Sequence, residues 1–331
     1  MKTALISGGL GFIGSFIARQ LVEDNVVDKI VLLDHFGRYV DSSRGEFLDY
    51  RKFRTKGIED RIIIERGEAR YYSVISNIME RYRPELIYHL AALPLAKLPN
   101  LVSDEAIEGC ITSTSNLLEI AGKMKKKDGY EPKRFIYASS SMVYGDFLKS
   151  TADEEHPTNP KDIYGTMKLA GEQVTKGLSR YFGIKSSIIR PSAVYGPTDM
   201  NRRVSQIFLE KAIKKQKISI QGFEEKLDFS YVKDVAKGFV LVSIREEAIG
   251  ETFNITYGRS RTLLDFAMVL KNHFPGLKYE IKERDTFRPL RGTLSIKKAK
   301  TLLGYKPDYD LEKGVDEYIK FIKENNPNLS L

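Results

Sequence analysis

The segment Ser7–Gly14, SGGLGFIG, joins an apolar run to a helical pattern and limits the fold more than any other part of the chain. Lys2–Ser7 (KTALIS) reads as a buried strand, and Phe12–Glu23 carries apolar residues at helical spacing. In Gly8-x-x-Gly11-x-x-Gly14 the glycines let the chain turn tightly, let a phosphate approach the backbone and let helix and strand pack closely. The helix start, at Phe12, Ile13 and Gly14, adds free N–H groups and a positive dipole end. Asp34 stands twenty residues past Gly14, at the end of the second strand. A carboxylate there suits a ribose 2′-hydroxyl and repels a 2′-phosphate. Glycine turns often serve packing alone, but strand, helix and acid together predict a dinucleotide site. NAD is favoured over NADP, with Arg38 the residue that argues for the latter.

Strand-like and helical segments alternate through the first part of the chain. The strands are Lys29–Leu33, Arg61–Glu65, Glu85–His89, the run before Ser139, and Lys185–Arg190. The helices are Tyr71–Arg81, Val102–Lys126 and Ile163–Phe182, and a polar, basic insertion runs to about Asp60. Repeated β-α-β order gives right-handed crossovers and a parallel sheet covered on both faces. After Pro191 the rhythm changes: helices Val204–Lys217, Val232–Ile244, Leu263–Phe274 and Leu311–Glu324 surround short strands and Thr252–Ile255. The expected fold is α/β, a Rossmann-type doubly wound parallel sheet with a smaller, interleaved C-terminal lobe. Residues 1–190, with 228–255, form the dinucleotide-binding domain, and 191–331 the substrate-binding lobe.

At 331 residues the chain can bury a large core. Its net charge of +9 favours anionic partners. The one dense basic run, Lys123–Lys127, reads as a solvated helix end without interleaved aromatics, so no nucleic acid is expected. A single cysteine, Cys110, excludes an intrachain disulfide and a Cys-rich zinc site. His35, His89, His156 and His273 form no His-x-x-x-His pair, so no metal is expected. There is no run of 18 apolar residues, and MKTALISGG enters a strand without a signal-peptide core. A cytoplasmic protein without a membrane span is the expectation.

Two further stretches carry chemistry. YASSSMVYGDF (Tyr137–Phe147) ends an apolar run in three hydroxyls, Ser139, Ser140 and Ser141. DIYGTMKLAGE (Asp162–Glu172) puts Tyr164 and Lys168 four apart, on one face of a helix. A tyrosine titrating near 10 is a poor base at neutral pH. A nearby ammonium and a bound oxidised nicotinamide both stabilise the phenolate. A serine hydroxyl at the end of the preceding strand can share the reacting oxygen.

With these residues the chain resembles an extended short-chain dehydrogenase/reductase, the group of nucleotide-sugar epimerases, 4,6-dehydratases and UDP-glucuronate decarboxylases. SGGLGFIG, Asp34, YHLAA (Tyr88–Ala92), SSSMVYG (Ser139–Gly145), DEEHPTNPKDIYGTMKLAGE (Asp153–Glu172) and LLGYKPDYDLEKGVDEYI (Leu302–Ile319) carry the likeness over nearly the whole chain. The resemblance implies that Ser140, five residues before Gly145, is the catalytic serine, with Ser139 bonded locally and Ser141 touching substrate. It implies Tyr164 as the base, with Lys168 tuning it and holding the nicotinamide ribose. Glu68 and Ala69 would lie near adenine, and Leu90, Ala91 and Ala92 along the nicotinamide ribose. His89 would be structural, and a homodimer is implied.

Three positions depart from the family. Cys110 replaces an Asn tied to a structural water beside the lysine, Ala193 a substrate-binding Asn, and Leu227 a phosphate-binding Arg. Arg203, Lys226, Arg288 and Arg291 are the basic residues able to compensate, Arg203 first. Ser141 and Met142 stand where a 4,6-dehydratase would carry Asp-Glu, which disfavours dehydration. The expected activity is an NAD-dependent C4 epimerase of a nucleotide-diphosphate sugar, an isomerase working through oxidoreductase chemistry. The alternatives are a 4-dehydrogenase or decarboxylase and, from another class, a non-catalytic NAD-binding scaffold or redox sensor.

Overall fold

Short runs of β-branched and aliphatic residues, too apolar to face water on either side, pair into one parallel sheet. In the computed structural model, which describes residues 1–37, 50–92 and 103–325, the strands are β1 (Thr3–Ser7), β2 (Lys29–Asp34), β3 (Ile62–Arg66), β4 (Leu86–His89), β5 (Arg134–Ala138), β6 (Ser186–Pro191) and β7 (Thr252–Ile255). Their order across the sheet is β7-β6-β5-β4-β1-β2-β3, every neighbouring pair parallel. Arg38 lies outside the described residues.

Eight helices matter below: α1 (Phe12–Glu23), α2 (Tyr72–Tyr82), α3 (Ser113–Asp128), α4 (Ile163–Phe182), α5 (Val204–Ile213), α6 (Val232–Ile244), α7 (Leu263–His273) and α8 (Leu311–Asn325). Successive strand residues face opposite sides. Ala4 and Ile6 therefore join the core under α1 and α6, with Ile17, Phe239 and Phe253. Leu5 joins the opposite core under α2, α3 and α4, with Ile75, Leu117 and Phe135. A separate core around Tyr195, Phe208, Phe266 and Val315 belongs to the lobe built from α5, α7 and α8. The sheet is doubly wound, as expected, with β2 and β4 on either side of β1. The winding reverses there, which opens a crevice at the carboxyl ends of β1 and β4.

Two helices differ from the expectation. The long helix before β5 is not uniform: Ser103–Ile107 and α3 are joined by a π-helical turn, Glu108–Thr112, that contains Cys110. Helix α5 stops at Ile213 because Lys215 turns to φ +54°, and the strand at Ile218 follows. A helix at Lys297–Leu303, unmarked in the sequence pattern, ends on Gly304 at φ +67°. The Lys123–Lys127 run ends a helix as expected, with Lys123 and Lys125 paired to Glu119 and Glu131. Among the described residues, no helix is long and apolar enough to cross a membrane.

Asp228 ties the end of β7 to the segment that returns from the C-terminal lobe. Its carboxylate accepts from the Thr256 hydroxyl at 3.2 Å and from the amides of Gly258 at 3.2 Å and Leu294 at 3.1 Å. Burial nonetheless pushes it up to about 7. An unfolded Asp titrates near about 3.9, so between these values the folded state holds the extra proton. The contribution of Asp228 to stability is full at low pH and is lost as pH rises through about 7. Wild type should lose on the order of 2 kcal/mol relative to Asp228→Ser between about pH 5 and about pH 8. Urea denaturation of both proteins reads this difference, and a pH-independent gap would contradict it.

Candidate active site

The crevice at the end of β1 is shaped by close backbone approach. Gly8 sits at φ +73°, and a Cβ there would lie 3.1 Å from the amide nitrogen of Ala91. A Cβ on Gly14 would lie 2.4 Å from the Gly8 carbonyl oxygen, so α1 packs directly on the loop. Gly11 caps α1 without a side chain, which leaves the amides of its first turn for an anion. Asp34 accepts from the amides of Leu10 at 3.1 Å and Phe36 at 2.9 Å, fixing its carboxylate at the loop. The amide of Leu90 donates to the Ser7 carbonyl at 3.1 Å, bringing Leu90 and Ala91 against Gly8. Phe12 is buried in the core and Ile13 packs against it. Glu68 pairs with Arg70 at 2.6 Å, and buried Ala69 follows β3. These residues fit a dinucleotide: an amide-lined turn for pyrophosphate, with a fixed carboxylate one strand away.

The serine turn lies at the end of β5. Ser140 is buried and extended, and its Oγ accepts from the Met142 amide at 3.2 Å, capping the short turn Ser141–Tyr144. That bond uses an oxygen lone pair and leaves the hydroxyl proton to donate elsewhere. Ser139 points the other way, donating to Glu172 at 2.5 Å. Glu172, fully buried, is bound by Arg190 through Nε at 2.8 Å and a terminal nitrogen at 2.7 Å. The pair locks α4 to β6 and to the root of the serine turn.

Helix α4 begins where Asp162 accepts from the Gly165 amide at 2.7 Å, a side-chain N-cap. Its first turn rests on the serine turn, since a Cβ on Gly165 would lie 2.7 Å from the Met142 carbonyl oxygen. Tyr164 is therefore half-buried at the mouth of the crevice. Lys168, one turn on, is buried, donates from Nζ to the Ala138 carbonyl at 2.7 Å and lies 5.9 Å from the Tyr164 ring centroid. The structure thus brings Ser140, Tyr164 and Lys168 together beside the glycine loop.

Two neighbours are spectators. His89 is held between the Ser7 hydroxyl at 2.6 Å and the Ser113 hydroxyl at 3.1 Å. Burial, reinforced by the Lys168 charge, lowers it to about 3, so it stays neutral. Cys110 is buried, and burial pushes its thiol up despite nearby Lys168.

The basic candidates sit on the C-terminal side. Arg203 donates to the Val194 carbonyl at 3.0 Å from the N-cap of α5, and its Nε is buried without a partner among the described residues. Arg291 reaches the Met142 sulfur at 3.7 Å. Arg288 is exposed and pairs with Asp285 at 3.3 Å. Leu227, in the family's arginine position, is buried in the lobe core. Ala193 takes φ +38°, a left-handed conformation that suits the relatives' Asn better than Ala.

Sequence reasoning missed several supports. Arg54 bridges the Leu10 carbonyl at 2.8 Å and the Thr198 carbonyl at 2.6 Å. Asn116 donates to the carbonyls of Ala69 at 3.3 Å and Arg70 at 2.8 Å. The signal for Asn116 was available, because an amide inside the apolar run NLLEIAG must find partners. Glu172 and Arg190 offered no such signal.

A doubly wound sheet of this order, with the glycine loop, Asp34 and the Ser140, Tyr164, Lys168 cluster at one crevice, defines an NAD-dependent enzyme of the extended short-chain dehydrogenase/reductase group. The chain belongs to the NAD dependent epimerase/dehydratase family, whose model matches residues 4–256. It is 30% identical to a putative UDP-glucose 4-epimerase of Methanocaldococcus jannaschii, over 97% of this chain and 99% of that one. A UDP-glucose 4-epimerase of Thermotoga maritima, solved with UDP-glucose, superposes with a TM-score of 0.83 at 25% identity, covering 98% and 99%. The fold also matches a UDP-glucuronic acid 4-epimerase of Bacillus cereus, solved with UDP-glucuronic acid and NAD, at a TM-score of 0.85 and 24% identity, covering 98% and 99%.

Two outcomes follow from this geometry. Glu172→Gln leaves Arg190 buried without its counter-charge and should cost about 3–5 kcal/mol in chemical denaturation; a loss below about 1 kcal/mol would contradict the clamp. Gly14→Ala should weaken NAD binding, read by calorimetry, by more than about tenfold, roughly 1.4 kcal/mol.

Proposed function

We propose that the chain is a C4 epimerase of a nucleotide-diphosphate sugar. The observation that carries the reading is the convergence of Ser140, Tyr164 and Lys168 beside the glycine loop. In this reading Tyr164, as phenolate, takes the proton of the sugar 4-hydroxyl. Ser140 donates its free proton to the same oxygen and fixes its place. The Lys168 ammonium stabilises negative charge on Tyr164 and, with its second hydrogen-bonding capacity, holds the ribose nearest the reaction. NAD, when bound, supplies the hydride acceptor and, on the return, the hydride donor. Gly8, Gly11 and the first turn of α1 hold its pyrophosphate, and Asp34 its adenosine ribose. Glu68 and Ala69 border the adenine, and Leu90, Ala91 and Ala92 the other ribose.

Arg203 and Arg288 bind the sugar diphosphate, and Ser141 and Arg291 face the sugar. The buried Nε of Arg203, without a partner among the described residues, supports its role. After oxidation at C4 the keto sugar turns, and reduction on its other face with the proton returned by Tyr164 yields the epimer. Met142 supports epimerisation over dehydration, since a thioether cannot move a proton at C5 or C6. The reading includes a cytoplasmic homodimer packed through the outer faces of α3 and α4.

Tyr164→Phe should retain NAD and lose turnover by on the order of 10²–10⁴-fold. The assay follows reduced-nicotinamide absorbance and recovers the sugar. A new epimer without lasting absorbance supports the reading. Accumulating reduced cofactor turns it to a 4-dehydrogenase, and carbon dioxide to a decarboxylase.

A further inference from the structure

The C-terminal lobe delivers an arginine to the serine turn. Segment 290–293 is laced along segment 146–151: the Phe147 amide donates to the Leu290 carbonyl at 2.8 Å, and the Leu290 amide to Asp146 at 2.7 Å. The Thr293 amide donates to the Ser150 carbonyl at 3.0 Å, and Thr293–Leu294 pairs with Thr151–Ala152. This lacing leaves Arg291 facing Met142, with a terminal nitrogen 3.7 Å from the sulfur. Met142 is two residues beyond Ser140.

The guanidinium has no counter-charge among the described residues. A thioether is a weak acceptor and carries no charge. Glu225 is taken by Arg284, and Asp162 caps α4. The Arg291 Nε is buried with no partner among the described residues. Burial, with Arg288 and Arg203 adding to it, lowers the group to about 10 against the opposing pull of Glu225 and Asp162. It remains a cation at neutral pH, in a place short of negative charge.

The occupant of such a place is an anion, and the proposed chemistry says which one. If Ser140 and Tyr164 hold O4, the ring carbon next to C4 on the side away from C3 is C5, so its substituent begins three bonds from O4, within reach of the side chains around the serine turn. We propose that the substrate is a hexuronate, with a carboxylate on C5, and that Arg291 is the residue that selects it. The inference rests on the C4 reading and deepens it. A carboxylate accepts two parallel N–H bonds from a guanidinium. The hydroxymethyl group of a neutral hexose offers one acceptor and leaves the charge unpaired. A site built for a charged partner discriminates strongly against a substrate that lacks it.

The test compares UDP-glucuronate with UDP-glucose on the full chain loaded with NAD, and UDP alone by calorimetry. Wild type should favour UDP-glucuronate by on the order of 10²-fold or more in kcat/KM. Arg291→Met should cut that ratio by on the order of 10²-fold, and Arg291→Lys, which keeps the charge but not the fork, should restore part of it. UDP should bind Arg291→Met as it binds wild type. A matching loss for UDP would place Arg291 on the diphosphate and overturn the proposal. Wild-type preference for UDP-glucose, needing no variant, would overturn it alone and leave the C4 reading intact. Turnover of no hexose or hexuronate with any nucleoside diphosphate would remove both.

Discussion

The buried ion pair between Glu172 and Arg190 is the contact on which the reactive geometry depends. It lies where three elements meet: α4 contributes Glu172, β6 contributes Arg190, and Ser139 at the end of β5 donates to the same carboxylate. Arg190 also lies 4.8 Å over the Tyr144 ring, and Tyr144 in turn donates to Asn254 on β7. One carboxylate therefore sets the height of α4 against the sheet and the direction in which the serine turn leaves it. Because Ser139 is turned inward to that carboxylate, the extended chain turns Ser140 outward. Two buried charges gain little net stability over an apolar filling, but they permit only one arrangement. Lys168 and Tyr164 inherit their places from it, being about one and two turns nearer the start of the same helix.

The parts legible in the sequence are those whose geometry is local. The glycine spacing in Ser7–Gly14 and the four-residue step from Tyr164 to Lys168 follow from the pitch of a turn and a helix. The strand TALIS shows its burial by composition, and helices α4 and α6 run over the residues their apolar pattern marks. What stays hidden depends on how distant segments cross. Nothing in the letters around Glu172 points to Arg190, 18 residues on, until α4 is laid on β6. Met142 and Arg291, 149 residues apart, meet only because segment 290–293 is laced to 146–151. The π-helical turn at Cys110 was invisible for a related reason. Its wider winding sits where Gly171 of α4 approaches: a Cβ there would lie 3.0 Å from the Cys110 carbonyl oxygen.

The departures at Cys110, Ala193 and Leu227 are not equivalent. Leu227 is absorbed by the lobe core and has no access to a ligand. Cys110 has its side chain buried near Lys168, and its backbone borders the same helix through the Gly171 approach. Ala193 keeps the left-handed backbone that its relatives' Asn would favour, so the turn survives while the amide is gone. Guanidinium groups lie instead at Arg203, at the start of α5, and on segment 288–291.

The Ser140, Tyr164 and Lys168 cluster and these guanidinium groups come from different parts of the molecule. The end of β5 and the start of α4 carry Ser140, Tyr164 and Lys168, with Ser140 held to the Met142 amide and Lys168 to the Ala138 carbonyl. The C-terminal lobe supplies the guanidinium groups, held by a few contacts from short strands and loops. Charge in such places acts over several ångströms and through the low dielectric of a covered crevice. On the proposed C4 reading, an arginine at 291 rather than at 227 therefore adds charge beside Met142 without displacing Ser140, Tyr164 or Lys168.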